Sequence, residues 1–139
     1  MLCIKNGNIH NGVQEEAFVA DILVENGKIV KIEADIEVDA DTEVVDAAGK
    51  EIYPGFVEAH GHIGLDGYGI GYEGMDYNEM NDIVSPQLRG IDGVKAMDPA
   101  FAKAAQAGVT CVCVGPGSAN VLGGTFTTIK TVGKRVDDM

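Results

Sequence analysis

The residues whose types and spacing most directly suggest chemistry are two histidines separated by one glycine, His60 and His62. They end a short apolar run, Phe56-Val57, that follows a Pro-Gly break. Side chains two residues apart in an extended strand point to the same face, so both imidazoles would project together. Such a pair can bind one divalent metal ion, and imidazole nitrogen suits zinc, iron, nickel or copper.

A turn with two solvated imidazoles is the alternative interpretation of the same His-Gly-His tripeptide. The position of the pair favours a metal site, because it lies at the carboxyl end of an apolar strand, where α/β proteins place their functional residues. Glu58 precedes the pair and could orient one of the ligands from behind, or it could be an ordinary strand residue.

The first part of the chain, residues 1–54, consists of short apolar segments interrupted by turn residues. Asn-Gly pairs such as Asn6-Gly7 and Asn26-Gly27 supply the positive φ angles that tight hairpins require, and the second pair lies between two apolar segments. Residues 33–43 are acidic and are expected to form a solvated connection. We predict a small antiparallel β layer without chemistry of its own, with a domain boundary at Pro54-Gly55.

The second part of the chain follows a strand–loop–helix–strand order, which is typical of a βαβ unit and a parallel sheet. A helix is predicted over 98–107, because Asp98 can cap its first amides and Gly108 suits its end. The following segment, 109–114, is apolar on both faces and predicts a strand covered on both sides. A further strand is predicted within 125–132.

The segment between the first strand of this part and the helix, 63–97, is long and rich in glycine, tyrosine and acidic residues. A loop of this length in a compact domain is usually functional or disordered, so a lid over the metal and a mobile insertion are both open. Arg89 is a candidate to hold a substrate carboxylate, although it also fits an ordinary surface residue. Residues 115–124 are expected to line a substrate pocket, with Ser118 and Asn120 as polar contacts.

Composition narrows the class of protein. The chain has 139 residues, of which 45% are hydrophobic and 23% charged, as in globular proteins. Its formal net charge of −12 disfavours a nucleic-acid surface, which needs clustered Lys and Arg. No apolar run reaches the length of a membrane span and no signal-peptide core opens the chain, so the cytoplasm is the expected compartment. Cys3, Cys111 and Cys113 are expected to be reduced.

Several segments of the chain carry a family resemblance. Four ordered segments resemble the opening of the metal-dependent amidohydrolases: LCIKNG (2–7), DILVENGKIVKI (21–32), VDAAGK (45–50) and PGFVEAHGH (54–62). Three later segments resemble the imidazolonepropionase-related branch: SPQLRGIDG (85–93), GVT (108–110) and PGSANVLGG (116–124). Together these segments extend over nearly the whole chain.

The resemblance implies an α/β plus β architecture, in which a small antiparallel β-sandwich portion (1–54) precedes the first βα units of a TIM-like (β/α)8 barrel (55–139). It also implies that His60 and His62 bind a divalent metal, with zinc as the expected ion. The implied reaction is hydrolysis of a non-peptide C–N bond in a cyclic amide or amidine of a small-molecule substrate. The general base and the remaining metal ligands would come from later barrel strands.

The length of the chain limits how much of this architecture it can form. A (β/α)8 barrel needs at least ~200 residues, and far fewer follow Pro54. We therefore expect an incomplete barrel that is inactive alone, with exposed strand edges that promote homo-oligomers or strand exchange. Two alternatives remain open: a non-catalytic β-rich scaffold or assembly module, and one half of a split hydrolase completed by a partner chain.

Overall fold

The computed structural model describes all 139 residues. The backbone forms two compact units, Met1–Pro54 and Gly55–Met139. They divide at the Pro-Gly pair where the sequence predicts a domain boundary, while the identity of the units as sandwich and barrel portions stays a prediction. The first unit contains strands and no helix, and the second contains both strands and short helices. None of the helices has the length and apolar composition needed to cross a membrane.

The first unit is a single five-stranded sheet. Its strands are β1 (Leu2–Ile9), β2 (Phe18–Glu25), β3 (Lys28–Glu33), β4 (Glu43–Asp46) and β5 (Glu51–Ile52). They follow the order β3-β2-β1-β4, and β5 also pairs with β1. The predicted hairpin is confirmed, because β2 and β3 are antiparallel and Asn26 and Gly27 both have positive φ. The sheet is mixed rather than antiparallel throughout, since β4 and β5 run parallel to β1.

The connection between β3 and β4 explains the mixed sheet. The backbone amide of Ile36 donates to Oδ2 of Asp21 at 2.9 Å, so the connection crosses one face of the sheet before the chain returns as β4. The prediction of a solvated connection is wrong at two positions: Ile36 and Thr42 are both buried. Their acidic neighbours in the sequence point to solvent while the backbone covers the sheet.

A bulge inside β1 accounts for the Asn6-Gly7 pair, which bends a strand here instead of closing a hairpin. Asn6 has a φ of 62°, and the register between β1 and β2 shifts between Ile4 and Gly7. A Cβ at Gly7 would lie 2.1 Å from Cδ1 of Ile52, so a larger residue there would displace the Ile52 side chain of β5. The sequence pattern indicated a positive φ at this pair, but not that it forms a bulge within a strand.

Asp21 is the buried charge of the first unit, with 3% of its surface exposed. Its carboxylate accepts hydrogen bonds from the amides of Asn6 at 2.8 Å and Ile36 at 2.9 Å, and the ammonium of Lys5 lies 3.2 Å away. Burial acts to raise the pKa of Asp21, but the two amides and Lys5 outweigh it and hold the pKa below its ordinary value. One carboxylate therefore joins the bulge, the crossing segment and β2.

The second unit contains β6 (Phe56–Gly61), α1 (Gly90–Gly93), α2 (Pro99–Gln106), β7 (Val109–Val114) and β8 (Thr127–Lys130). Its sheet has the order β6-β7-β8, in which β6 and β7 are parallel and β7 and β8 antiparallel. The predicted helix is confirmed as α2. Oδ1 of Asp98 accepts from the amide of Ala100 at 2.8 Å, and Oδ2 accepts from the amide of Tyr68 at 3.1 Å.

The core of the second unit lies between α2 and one face of the sheet. Phe101 of α2 packs with Val112, Val114 and Ile129. The intervening residues of β7, Cys111 and Cys113, are free thiols that are only half-buried. The prediction of a strand covered on both sides is therefore correct for the face that packs on α2 and wrong for the other.

Substitution of Asp21 tests its role in the first unit. Asp21→Asn removes the charge and sets an NH₂ group against one of the donors, so we expect the free energy of unfolding in urea to fall by about 2 kcal/mol at neutral pH. Glu33→Gln is the matched control. Its ion pair with Lys31 is exposed, so the expected loss is below about 0.5 kcal/mol.

The contribution of Asp21 to stability should decrease as the pH falls. The folded pKa of Asp21 lies below the ordinary value of 3.8, so its contribution to stability is complete above that pH and is lost as the pH falls through the folded pKa. The difference in stability between wild type and Asp21→Asn should therefore shrink on acidification. A difference that grows as the pH falls would contradict this account.

Candidate metal centre

The parallel pairing of β6 and β7 brings the carboxyl ends of both strands together. Gly61 pairs with Val114, and the amide of Gly115 donates to the carbonyl of Gly61 at 3.3 Å. The register shifts between Glu58 and Gly61, which perturbs the regular alternation of side chains there. His60 lies inside this irregular end of β6, and His62 follows the strand directly.

The two predicted ligands are close neighbours. The ring centroids of His60 and His62 lie 5.3 Å apart with the planes at 85°. Nδ1 of His62 lies 2.8 Å from the carbonyl oxygen of Gly115, and since a carbonyl only accepts, Nδ1 must carry the proton. In the neutral ring, Nε2 then keeps the lone pair with which a histidine binds a metal.

Two aromatic rings contact the histidine pair, in which His60 is exposed and His62 is half-buried. The ring of Tyr77 is stacked on that of His62, with centroids 5.0 Å apart and an interplanar angle of 7°. The ring of Phe126 lies 4.8 Å from that of His60 and 6.3 Å from that of His62. Tyr77 comes from the long loop and Phe126 from the segment before β8, so two connections contribute contacts to the pair.

The donor set fits part of a metal site. No three His, Cys, Asp or Glu side chains of the chain lie close enough together to hold a metal ion. A catalytic zinc usually has three protein ligands and a water, so His60 and His62 fit two positions of such a set. The carboxylate of Glu58 accepts from the backbone amide of His60 at 3.0 Å, so it braces the strand end instead of orienting an imidazole ring.

Arg89, the candidate for holding a carboxylate, already holds one from its own chain. Its Nε and one terminal nitrogen donate to the two carboxylate oxygens of Asp92 at 2.8 and 2.5 Å. These hydrogen bonds raise the pKa of Arg89 and lower the pKa of Asp92. Both residues line an open cavity of about 340 Å³ that Tyr77 also lines. A substrate carboxylate at Arg89 would have to compete with Asp92.

Asn120, the second candidate for substrate binding, joins the two loops at the site. Its side-chain amide donates to the carbonyls of Glu79 at 2.9 Å and Asp82 at 2.7 Å, while its Oδ1 is buried without a partner. Isolated bridges add Val84 to Leu122 and Arg89 to Thr125. The loop 63–97 is therefore fastened to residues 115–126 along much of its length, an arrangement that favours a fixed wall over a mobile insertion.

Sequence reasoning placed Gly115 in the segment expected to line the pocket and Tyr77 in the long loop, but it assigned neither a contact with His62, and it missed Phe126. Gly115 directly follows β7, and its position at a strand end was the available signal. Phe126 and Tyr77 carried no comparable signal, because their contacts with the histidines span long distances in the sequence. Ser118, named as a possible polar contact, is exposed.

A methyl group at Gly117 should disturb this wall. A Cβ there would lie 2.1 Å from Oδ1 of Asn78 and 2.4 Å from Cδ2 of Tyr77, so Gly117→Ala must displace one of them. We expect a loss of about 1–3 kcal/mol in the free energy of unfolding. Gly123→Ala is the control, because the nearest atom to its Cβ would be 3.8 Å away. Equal stabilities of the two variants in urea unfolding would argue against the close packing.

Several known proteins are similar to this chain in sequence, and one solved structure is similar to it in fold. No family model matches the sequence. Amidohydrolase tasK of Hapsidospora irregularis is 37% identical over 123 residues, which are 86% of this chain and 12% of that protein. The dihydroorotase of Thermoanaerobacter sp. is 43% identical over 67 residues, which are 48% of this chain and 15% of that protein. A solved amidohydrolase from Thermotoga maritima is 42% identical, with a TM-score of 0.91 over 99% of this chain and 36% of its own.

The matches extend over only a part of each relative. The chain spans 12% of tasK and 16% of a dihydropyrimidinase from Arabidopsis thaliana, to which it is 37% identical over 96 residues. The sheet-rich fold with few helices agrees with the solved structure over nearly the whole chain. These relatives do not confirm the imidazolonepropionase-related branch, but together they support the amidohydrolase superfamily as the family of this chain.

Proposed function

We propose that this chain is the amino-terminal part of a metal-dependent amidohydrolase that hydrolyses a non-peptide C–N bond in a small molecule. The observation that carries the proposal is the His60–His62 pair at the end of β6, in which Gly115 leaves Nε2 of His62 available to a metal. Relatives named amidohydrolase, dihydroorotase and dihydropyrimidinase support a hydrolase. A cyclic amide or amidine is the proposed substrate class.

His60 and His62 would hold a divalent ion, for which zinc is the proposed identity. When bound, such an ion supplies Lewis acidity that polarises the scissile bond and makes water a stronger acid. The residues of this chain orient the ligands: the Gly115 carbonyl holds the proton of His62 on Nδ1, and Phe126 packs against His60.

The general base and the remaining ligands are proposed to come from later strands of a (β/α)8 barrel that β6 and β7 would begin. The parallel pairing of β6 and β7 through α2 is the βα arrangement that such a barrel repeats. On this proposal the chain is inactive alone. The imidazolonepropionase-related branch is a finer proposal, supported by residues 85–93 and 116–124. A cytoplasmic location is also proposed, supported by the three free cysteines.

Two alternatives predict different behaviour of the same histidines. In a non-catalytic scaffold, His60 and His62 would be packing residues between Tyr77 and Phe126 and would bind no metal. In a split hydrolase, they would bind metal strongly only with a second polypeptide that brings further ligands. Metal binding by the chain itself separates the leading proposal from the scaffold. A gain in affinity on addition of a second polypeptide would be specific to the split hydrolase.

Metal analysis tests the proposal directly. We expect the purified, tag-free chain loaded with zinc to retain up to about one equivalent, and the double variant His60→Ala with His62→Ala to bind at least about tenfold more weakly. His10→Ala is the matched control, since the third histidine lies in the first unit and pairs with Glu51. Equal zinc binding by the wild type and the double variant, or none by either, would overturn the assignment of these ligands.

Self-association is the proposed behaviour of the isolated chain. Val57 of the edge strand β6 is 65% exposed, and an apolar edge strand can pair with a second copy. We expect the mass in solution, measured by light scattering, to rise with concentration, and Val57→Lys to reduce that rise. Val121→Lys is the control, because Val121 is 83% exposed but lies in a loop. A monomer at every concentration would contradict the proposal.

A further inference from the structure

We propose that Tyr77 is a positioning residue that, together with the Gly115 carbonyl, fixes the plane and the tautomer of His62. The loop 63–97 would then determine the geometry of a metal ligand in addition to covering the site. The inference rests on the proposed function in one respect, since it concerns a residue that we expect to bind metal. The effect of Tyr77 on the tautomer of His62 can be measured in the metal-free chain.

The hydrogen bond alone leaves His62 a degree of freedom. The contact from Nδ1 to the Gly115 carbonyl fixes one atom of the ring at 2.8 Å, but the ring can still tilt about that contact. The ring of Tyr77 is nearly parallel to the imidazole, at 7°, and 5.0 Å from it between centroids. An offset parallel stack of this kind restricts the tilt, so the two contacts together define the plane.

Tyr77 is itself held by the segment after β7 that also binds His62. Its carbonyl accepts from the amide of Gly117 at 2.6 Å. The side chain of the next residue, Asn78, accepts from the amide of Ala119 at 3.3 Å. A Cβ at Gly117 would lie 2.4 Å from the Tyr77 ring, so the ring rests directly on that backbone. Tyr77 is thus held against the segment that begins with Gly115, whose carbonyl binds His62.

The other tyrosines of the loop do not contact His62. Tyr72 is 84% exposed. The ring of Tyr68 faces the ammonium of Lys103, 4.8 Å from its centroid. Tyr77 is the tyrosine of this loop that contacts a histidine ring, and it also lines the cavity of about 340 Å³. Tyr77 therefore contacts both that cavity and the ring of His62, which does not itself line the cavity.

The test compares Tyr77→Ala and Tyr77→Phe with Tyr72→Ala, which removes an exposed tyrosine from the same loop. The first measurement is the tautomer of His62 in the metal-free chain, by ¹⁵N NMR with the imidazoles neutral. We expect Nδ1 to carry the proton in the wild type, in Tyr77→Phe and in Tyr72→Ala. In Tyr77→Ala we expect both tautomers, because the ring can tilt away from Gly115.

The second measurement is zinc affinity by competition with a chelator. Loss of a group that orients a ligand typically weakens metal binding by about 10–100-fold, so we expect about a tenfold weaker affinity in Tyr77→Ala. Tyr77→Phe and Tyr72→Ala should stay within about twofold of the wild type, since the first keeps the stacked ring and the second never touched His62.

The outcomes separate this inference from the proposed function. A wild-type tautomer in Tyr77→Ala would overturn the positioning role, whatever the zinc affinity. Tyr77→Phe behaving like Tyr77→Ala would also overturn it, because the stack would not be the cause. If the wild type binds no zinc, the proposed function fails, and the tautomer measurement still decides the role of Tyr77. If Tyr77→Ala does not fold, Tyr77→Leu, which fills the space without an aromatic ring, replaces it.

Discussion

The arrangement of the candidate site depends on the parallel pairing of β6 with β7. This pairing places Gly115 beside Gly61, so that a single backbone carbonyl can reach the imidazole of the next histidine along the chain. If β6 moved by one residue along β7, the side chains would change face and the hydrogen bond to His62 would be lost. Val112 and Val114 of β7 pack with Phe101 of α2, which fixes the face of β7 that is buried.

Several carboxylates near the site accept hydrogen bonds from other groups of the same chain. Asp92 pairs with Arg89, and Asp98 caps α2 while it binds the amide of Tyr68. Glu79 accepts from the amides of Asn81 and Asp82, which lowers its pKa. These contacts order the loop by local hydrogen bonds, which explains how a glycine-rich segment with few buried apolar residues can still form a defined wall.

Sequence patterns predicted the structural features that depend on residues close together in the chain. The hairpin at Asn26-Gly27 and the helix that Asp98 caps were predictable, because positive φ angles and unpaired amides impose strong local preferences. The proximity of His60 and His62 followed from their spacing. The parallel direction of β4, the burial of Ile36 and the stack of Tyr77 on His62 were not predictable in this way. Each depends on contacts between distant residues, about which a local pattern carries no information.

The three-stranded sheet can pair with further strands only at its two edges. β7 is paired on both sides, with β6 parallel to it and β8 antiparallel to it, so its backbone groups are committed. Only the outer edges of β6 and β8 can accept another strand. A strand added at β6 extends the sheet beside the histidines, whereas one added at β8 must accommodate a reversal of direction. Any larger sheet that includes this unit therefore has only two places to grow, and β6 is the one that can continue a parallel series with no change of polarity.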